Sequence, residues 1–341
     1  MLLPVSLSVL FAVIHAVNGL YAKIVKGQSF KKSFQDPSSF ISSVLLLMYL
    51  LYIYLTRQVL DVFNCAPTEP PSYGKDGQII KYMVAVFEEC GVAGGTQMAL
   101  LPAATAALII YVAGYPAFIA WLMYKNRETV MEDQLLRAKG AGNDTLSGPR
   151  TFKLRRTLGR SYFQFKPDNC LWILAIILRK FFIALTAVIF NKNASFQMAA
   201  CLLVMFVAYA AQVHVRPYMS PANFEDVLKA HVESSYANAI HARLRANLAN
   251  IETRGRKKVR KNLLNFEGKV DRSAVFGLLA GWLFNYNTVE EIMLFAAVIV
   301  CLMGIMYQAN EVSTYYPESK DSVTAVVLAV IILAILYFVT V

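Results

Sequence analysis

Seven long apolar stretches limit what this chain can fold into. A helix needs about 20 mostly apolar residues to cross a bilayer. The composition agrees with membrane spans, because 57% of the 341 residues are hydrophobic and 16% are charged, against about 25% charged in soluble proteins. The sequence therefore predicts an all-α, polytopic membrane protein with about seven transmembrane helices. The predicted spans are residues 4–21, 41–63, 98–124, 169–190, 196–215, 289–309 and 322–341.

The charges of the connecting loops predict the orientation of these spans. Lys and Arg collect in cytoplasmic loops. Loops 22–38, 125–168 and 216–272 carry net charges of +3, +5 and +6, whereas loops 64–97 and 310–321 each carry −2. Seven spans satisfy this alternation with the N-terminus outside and the C-terminus in the cytoplasm.

A basic cytoplasmic linker precedes the sixth span. Apolar residues at helical spacing predict an amphipathic helix over residues 222–252. We interpret 273–286 as an interfacial or re-entrant helix, because an eighth span there would move the acidic loop 310–321 to the cytoplasm; the spanning alternative stays open. The predicted parts are residues 1–63 (two spans), 64–97 (extracellular loop), 98–215 (three spans and basic loop 125–168), 216–288 (linker) and 289–341 (two spans).

Six basic residues cluster within the linker. Just inside a membrane, such a cluster contacts anionic lipid or only fixes the orientation of the spans. Its position next to spans argues against nucleic acid as a partner. The cluster consists of Arg254, Arg256, Lys257, Lys258, Arg260 and Lys261.

Two cysteines, Cys65 and Cys90, lie in the predicted extracellular loop. An oxidising compartment permits a disulfide between them. The alternative is two free thiols at the ends of spans. The prolines and glycines of the same loop predict irregular structure.

Ionisable residues at membrane depth are candidates for function. Arg179 and Lys180 lie near the middle of the fourth span, and Glu290 and Glu291 begin the sixth. One interpretation is a buried ion pair that holds two helices or gates a pathway. The other is two cations that reach the membrane surface and two acids among the headgroups.

The inner end of the fifth span carries a polar motif. Pro217 ends the helix, and Arg216 is expected at the headgroup level. His214 is either a titrating switch or a hydrogen-bonded filler. The whole motif comprises Gln212, His214, Arg216, Pro217, Tyr218, Asn223 and Glu225.

The outer loop 310–321 contains three acids, Glu311, Glu318 and Asp321. They predict either an acidic ring of the kind that cation pores use or a solvated turn. Motifs of enzymes, cofactor sites and metal sites are missing from the sequence, since it has no P-loop, no G-x-G-x-x-G and no H-E-x-x-H. We therefore expect no enzymatic activity, no cofactor and no metal.

Residues 160–310 resemble the membrane domain of TRP-like, polycystin-related proteins. Such domains occur in the flavin-carrier group of fungi and at the C-termini of large surface proteins of algae and other protists. The resemblance rests on Arg179 and Lys180 within a span, on Gln212, Arg216, Pro217 and Tyr218 at a span end, and on Asn287 and Glu290 before the next span.

The resemblance implies a eukaryotic plasma or ciliary membrane and a link to calcium or other cation transport. Two features depart from a tetrameric cation channel: the fifth span has no arginine ladder, and loop 310–321 is short for a pore helix with a filter. Three functions follow as hypotheses. The first is a module that conducts or regulates cations, and as a channel it would be a homo-oligomer. The second is an anchor for a large extracellular or ciliary partner. The third is a seven-helix receptor.

Overall fold

The computed structural model describes residues 38–74, 76–138, 149–190, 192–219, 227, 285–308 and 317–340. Several predicted features lie outside these residues. They are the first span 4–21, the amphipathic helix 222–252 apart from Val227, the basic cluster between 254 and 261, and most of the stretch 273–286.

Helices dominate the described residues. Between α2 and α3 the chain forms a π-helix, Leu108–Ala113, so that Thr96–Lys125 is one continuous helical rod. The helices are α1 (Ser38–Asp61), α2 (Thr96–Ala107), α3 (Gly114–Lys125), α4 (Arg127–Ala138), α5 (Pro149–Tyr162), α6 (Trp172–Ile189), α7 (Ala194–Val215), α8 (Tyr286–Gln308) and α9 (Pro317–Thr340).

Six helical segments of the described residues are long and apolar enough to cross a membrane. They match six of the seven predicted spans, and this confirms a mostly helical, multi-span protein. The segments are Phe40–Asp61, Thr96–Lys125, Trp172–Ile189, Ala194–Val215, Tyr286–Gln308 and Asp321–Val339.

Two boundaries differ from the prediction. The sixth span begins at Tyr286, so this residue belongs to a spanning helix and not to the predicted helix 273–286. Helix α9 begins at Pro317, so the last five residues of the predicted loop 310–321 are helical. A proline favours the first turn of a helix because the amide that it lacks would have no helical partner there.

The chain packs as two compact units. Unit 1 contains the disulfide-bonded loop, and unit 2 contains α4 and α5. Unit 1 comprises Met1–Leu122, Leu174–Val207 and Ala297–Val327, and unit 2 comprises Met123–Ile173, Ala208–Ala296 and Leu328–Val341.

Tyrosine hydroxyls join α1 to the π-helix and α3 within unit 1. Tyr111 donates to the Met48 carbonyl (2.7 Å), and Tyr115 donates to the Leu45 carbonyl (3.1 Å). A hydroxyl at membrane depth needs a partner because lipid offers none. The ring of Tyr52 lies 5.8 Å from that of Tyr111 and 6.1 Å from that of Tyr115. The three tyrosines together therefore fix α1 on this rod.

The loop after α1 is more regular than predicted. It forms an antiparallel three-stranded sheet of β1 (Cys65–Pro67), β2 (Lys81–Met83) and β3 (Glu88–Glu89), in the order β1-β2-β3. Gly77, Gly91 and Gly94 have φ angles of 71°, 77° and 81°, which glycine tolerates. These glycines thus allow tight turns around the sheet.

The disulfide between Cys65 and Cys90 is present, as predicted. Gln97, in the first turn of α2, supports it from the side. Its Nε2 donates to the Val62 carbonyl (3.2 Å) and to Cys65 Sγ (3.0 Å), and its Oε1 accepts from the Gly91 amide (2.8 Å). The side chain of Gln97 therefore connects the end of α1, the disulfide and the start of α2.

Candidate functional site

Asn287, in the first turn of α8, binds the backbone that follows α7. Its Oδ1 accepts from the Tyr218 amide (3.0 Å), and its Nδ2 donates to the Tyr218 carbonyl (2.8 Å). A side-chain amide has one acceptor and one donor group, so it pairs with a residue as a neighbouring β-strand would. Asn287 is 4% exposed, so both hydrogen bonds are buried.

Gln212 reaches the same amide from the last turn of α7. It is 1% exposed, and its Nε2 lies 3.4 Å from Asn287 Oδ1. The Asn285 side chain accepts from the Asn287 amide (3.0 Å), which satisfies one of the orphan donors at the start of α8. The buried polar groups of two span ends are thus bonded to one another.

The end of α7 has the conformation that this contact requires. Arg216 has φ +43°, a region that costs a non-glycine residue free energy. Pro217 follows and cannot continue the helix. The chain therefore turns sharply at Arg216 and presents the Tyr218 backbone to Asn287.

Arg216 also pairs with an acid of α8. Its Nε lies 3.5 Å from Oε1 of Glu291, with 62% of the arginine side chain and 17% of the glutamate side chain exposed. The two partners come from sequence positions 75 apart. The predicted span-end motif and the predicted acid at the start of the sixth span therefore form one ion pair.

A third segment completes the cluster. The amide of Lys166 donates to the Pro217 carbonyl (2.7 Å), and the Met219 amide donates to the Gln164 carbonyl (2.9 Å). Phe165, which is fully buried, packs its ring 5.2 Å from that of Tyr218. We call Gln212, Arg216, Tyr218, Asn287 and Glu291, with Phe165, the span-end cluster.

Beside it, unit 2 contains a buried acid that sequence analysis missed. Asp133 of α4 has no exposed surface and accepts two hydrogen bonds from Arg155 Nε and one of 2.7 Å from its Nη2. The Tyr162 hydroxyl donates to Asp133 Oδ2 (3.1 Å). This ion pair joins α4 to α5.

Two neighbouring groups have shifted pKa values. Burial, and then the charge of Asp133, raise the pKa of Tyr162. Burial lowers the pKa of Arg137, whose guanidinium lies 4.0 Å from the centre of the Phe163 ring and donates to the Phe163 carbonyl. Gln134, fully buried, donates to the carbonyls of Tyr162 and Phe165. These contacts position Phe165 for its packing on Tyr218.

Within unit 1, the predicted intramembrane cations lie in α6. Lys180 Nζ donates to the Tyr49 carbonyl (3.0 Å) and lies 3.5 Å from the centre of the Tyr49 ring. Arg179 is half-buried. The structure pairs Glu291 with Arg216 and bonds Lys180 to Tyr49. That Glu290 and Glu291 are counter-charges of Arg179 and Lys180 stays one of the two open interpretations.

The structure describes only some of the remaining predicted residues. His214 is exposed in the last turn of α7, and Asp321 is exposed on α9. Glu318 lies in the first turn of α9, so its backbone is helical and not part of a loop. Asn223, Glu225, Glu311 and the six basic residues of the linker lie outside the described residues.

The residues that sequence analysis missed are polar side chains within short amphipathic helices. Asp133 and Gln134 stand in a sequence of alternating charges that reads as a solvated face. The signal that could have found them is helical periodicity, because Val130, Asp133, Gln134 and Ala138 share one face of α4, at positions i, i+3, i+4 and i+8.

Neither a protein family model, nor a curated protein, nor a solved structure matches this chain.

Proposed function

We propose that this chain is a TRP-like, polycystin-related membrane module that conducts or regulates cations at a cell-surface or ciliary membrane. The observation that carries the proposal is the span-end cluster. Three of the residues that suggested the resemblance, Gln212, Tyr218 and Asn287, are partners in three dimensions. A fourth, Arg216, pairs with Glu291 of the next span.

The cluster combines a fixed contact with an exchangeable one. Asn287 and the Tyr218 backbone are buried and fully bonded to each other, so their relative position is rigid. Arg216 is mostly exposed, and a pair with an exposed partner contributes little stability, about 0–1 kcal/mol. The charge of Glu291 can therefore change partners while the two helix ends stay together, which suits a regulated cation pathway.

The test is a density map of the full chain in its native membrane assembly. Four copies around an axis, with a continuous pathway lined by residues 310–321, are the result that this proposal predicts for a channel. A regulator would be found bound to a separate pore. A single copy that contacts only an extracellular protein, with no pathway in either chain, would contradict the proposal.

A second candidate is a membrane anchor, and the disulfide-bonded sheet favours it. Large apolar side chains on and around this small sheet are exposed instead of buried: Tyr73, Ile79, Val84, Val86 and Phe87. Exposed apolar groups of this kind often mark protein contacts. An anchor would hold a large extracellular partner through these side chains.

Proximity labelling distinguishes the anchor from the cation module. A labelling enzyme fused to the chain near the sheet should label one abundant extracellular protein. Phe87→Ser should abolish this labelling. Leu333→Ser changes an equally apolar, exposed residue of α9 and should leave the labelling intact. Unchanged labelling in the Phe87 variant would contradict the anchor.

A further inference from the structure

A cavity of about 700 Å³ lies in unit 1, on helices that are long and apolar enough to cross a membrane. One wall is the stretch 108–120 of the rod Thr96–Lys125, and the other is the stretch 174–181 of α6. Both helices are membrane spans by length and hydropathy. The cavity therefore faces the hydrocarbon region and not water.

The cavity exists because small side chains line one strip of the rod. Ala113, Ala117 and Ala120 follow one another at helical spacing, and Ala175 stands in the opposite wall. Pro116 adds a ring without a long side chain. Larger residues at these positions would fill the space, since helical residues three and four apart share a face.

Among the described residues, the lining carries no charge and one polar side chain. That side chain is Tyr52, whose hydroxyl already donates to the Val112 carbonyl (2.9 Å). A ligand in this cavity therefore finds no hydrogen-bonding side chain that is not already engaged. This excludes a polar metabolite as a good occupant, because its polar groups would lose water without replacement.

We infer that this cavity binds the hydrocarbon moiety of a bilayer lipid. Its volume falls in the range of about 300–1,000 Å³ that is typical of ligand pockets. An apolar cavity repels water, and lipid hydrocarbon is the apolar material present at that depth of the spans. The moiety is an acyl chain or the ring system of a sterol, which share this chemistry.

Buried, hydrogen-bonded residues form the floor of the cavity and keep it rigid. Val112 and Tyr52 are buried, with exposures of 5% and 1%, and the hydrogen bond between them joins α1 to the rod. Ala113, Ala117, Ala175 and Leu178 are exposed along the cavity, which leaves an entry from the side. A chain can thus enter from the bilayer without unfolding of either helix.

The test is photolabelling of the full chain in vesicles with two probes. One is a phosphatidylcholine with a diazirine in the middle of an acyl chain, and the other is a cholesterol with a ring diazirine. We expect one probe or both to label peptides containing residues 108–120 or 174–181 in a saturable way. The probe whose labelling saturates identifies whether the bound hydrocarbon is an acyl chain or a sterol. Labelling of Leu203, which is 64% exposed on α7 and lies outside both wall segments, reports non-saturable contact with bulk lipid.

Two matched variants make the result specific. Ala117→Phe fills the cavity and should reduce the saturable labelling at least fivefold. Ala329→Phe makes the same change at an exposed alanine of α9 and should leave it unchanged. Labelling that never saturates, or that survives Ala117→Phe in correctly folded protein, would overturn the inference, as would a cross-link showing that a second copy or another segment of the chain fills the cavity.

Discussion

The hydroxyl of Tyr52 donates to the carbonyl of Val112 across two helices, at 2.9 Å. In an α-helix that carbonyl would accept from the amide four residues later. That position is Pro116, which has no N–H. The tyrosine thus supplies the hydrogen bond that the proline removes.

This relationship predicts a coupled pair of substitutions. Tyr52→Phe leaves the carbonyl without the hydroxyl donor and should cost about 1 kcal/mol of unfolding free energy. In a Pro116→Ala background the new amide at residue 116 can bind the carbonyl, so the cost of Tyr52→Phe should become smaller. Thermal unfolding of the four proteins in detergent measures the coupling.

Tyr54→Phe removes an exposed tyrosine hydroxyl from the same helix and serves as the control. It should change the melting temperature little in either background. Equal losses for Tyr52→Phe with and without Pro116 would show that the hydroxyl does not replace the missing amide.

Asn287→Asp tests the buried contact of the span-end cluster. The carboxylate keeps an acceptor for the Tyr218 amide but replaces the donor to the Tyr218 carbonyl with a negative oxygen. We expect a loss of about 2 kcal/mol or more, because a buried acceptor is left unsatisfied beside a charge. Gln308→Glu, the same chemical change at an exposed position of α8, should be nearly neutral.

The buried pair of α4 and α5 should be costly to break from one side. Asp133→Asn leaves Arg155, whose side chain is 16% exposed, without its charged partner, and the expected loss is about 3–5 kcal/mol. Glu128→Gln removes an exposed acid from the same helix and should change stability by less than about 0.5 kcal/mol. Similar melting temperatures for both variants would contradict the buried pair.

Tyr162 gives a pH dependence with a definite sign. Its pKa is raised in the folded protein, chiefly by burial, whereas an unfolded tyrosine has a pKa of about 10. The hydroxyl therefore contributes stability fully below pH of about 10 and loses it as the pH rises. The stability advantage of the native protein over Tyr162→Phe should shrink above that pH; a constant advantage would refute this assignment.

The disulfide closes a segment with a sequence separation of 25. In the chain-entropy model such a loop contributes roughly 3 kcal/mol, so Cys65→Ala with Cys90→Ala should lower the melting temperature by several degrees. Mass mapping of a non-reduced digest should yield the linked peptide pair. Recovery of both cysteines in alkylated form would contradict the bond.

The sequence was most informative where one physical rule acts alone. The spans follow from apolar length, since no other structure satisfies the backbone in lipid, and α6 begins and ends within three residues of its predicted range. The Cys65–Cys90 bond followed from the compartment that loop charge predicted. Both conclusions needed no knowledge of tertiary contacts.

Partners across the sequence were harder to predict. Glu291 was close to Asn287 in sequence, but only the turn at Arg216, with its positive φ, brings the end of α7 against it. The burial of Asp133 could not be predicted because its neighbours in sequence are charged. Asp133 is buried because α4 packs on α5. The sheet after α1 was missed because its strands have two or three residues, which is too short for periodicity to reveal.

The most direct measurement of the central claim is calcium entry into cells that express the full chain. At matched surface expression, we expect entry above that of untransfected cells, a several-fold reduction in Asn287→Asp, and no change in Gln308→Glu. Entry equal to that of untransfected cells, or entry that is the same in all three proteins, would contradict it.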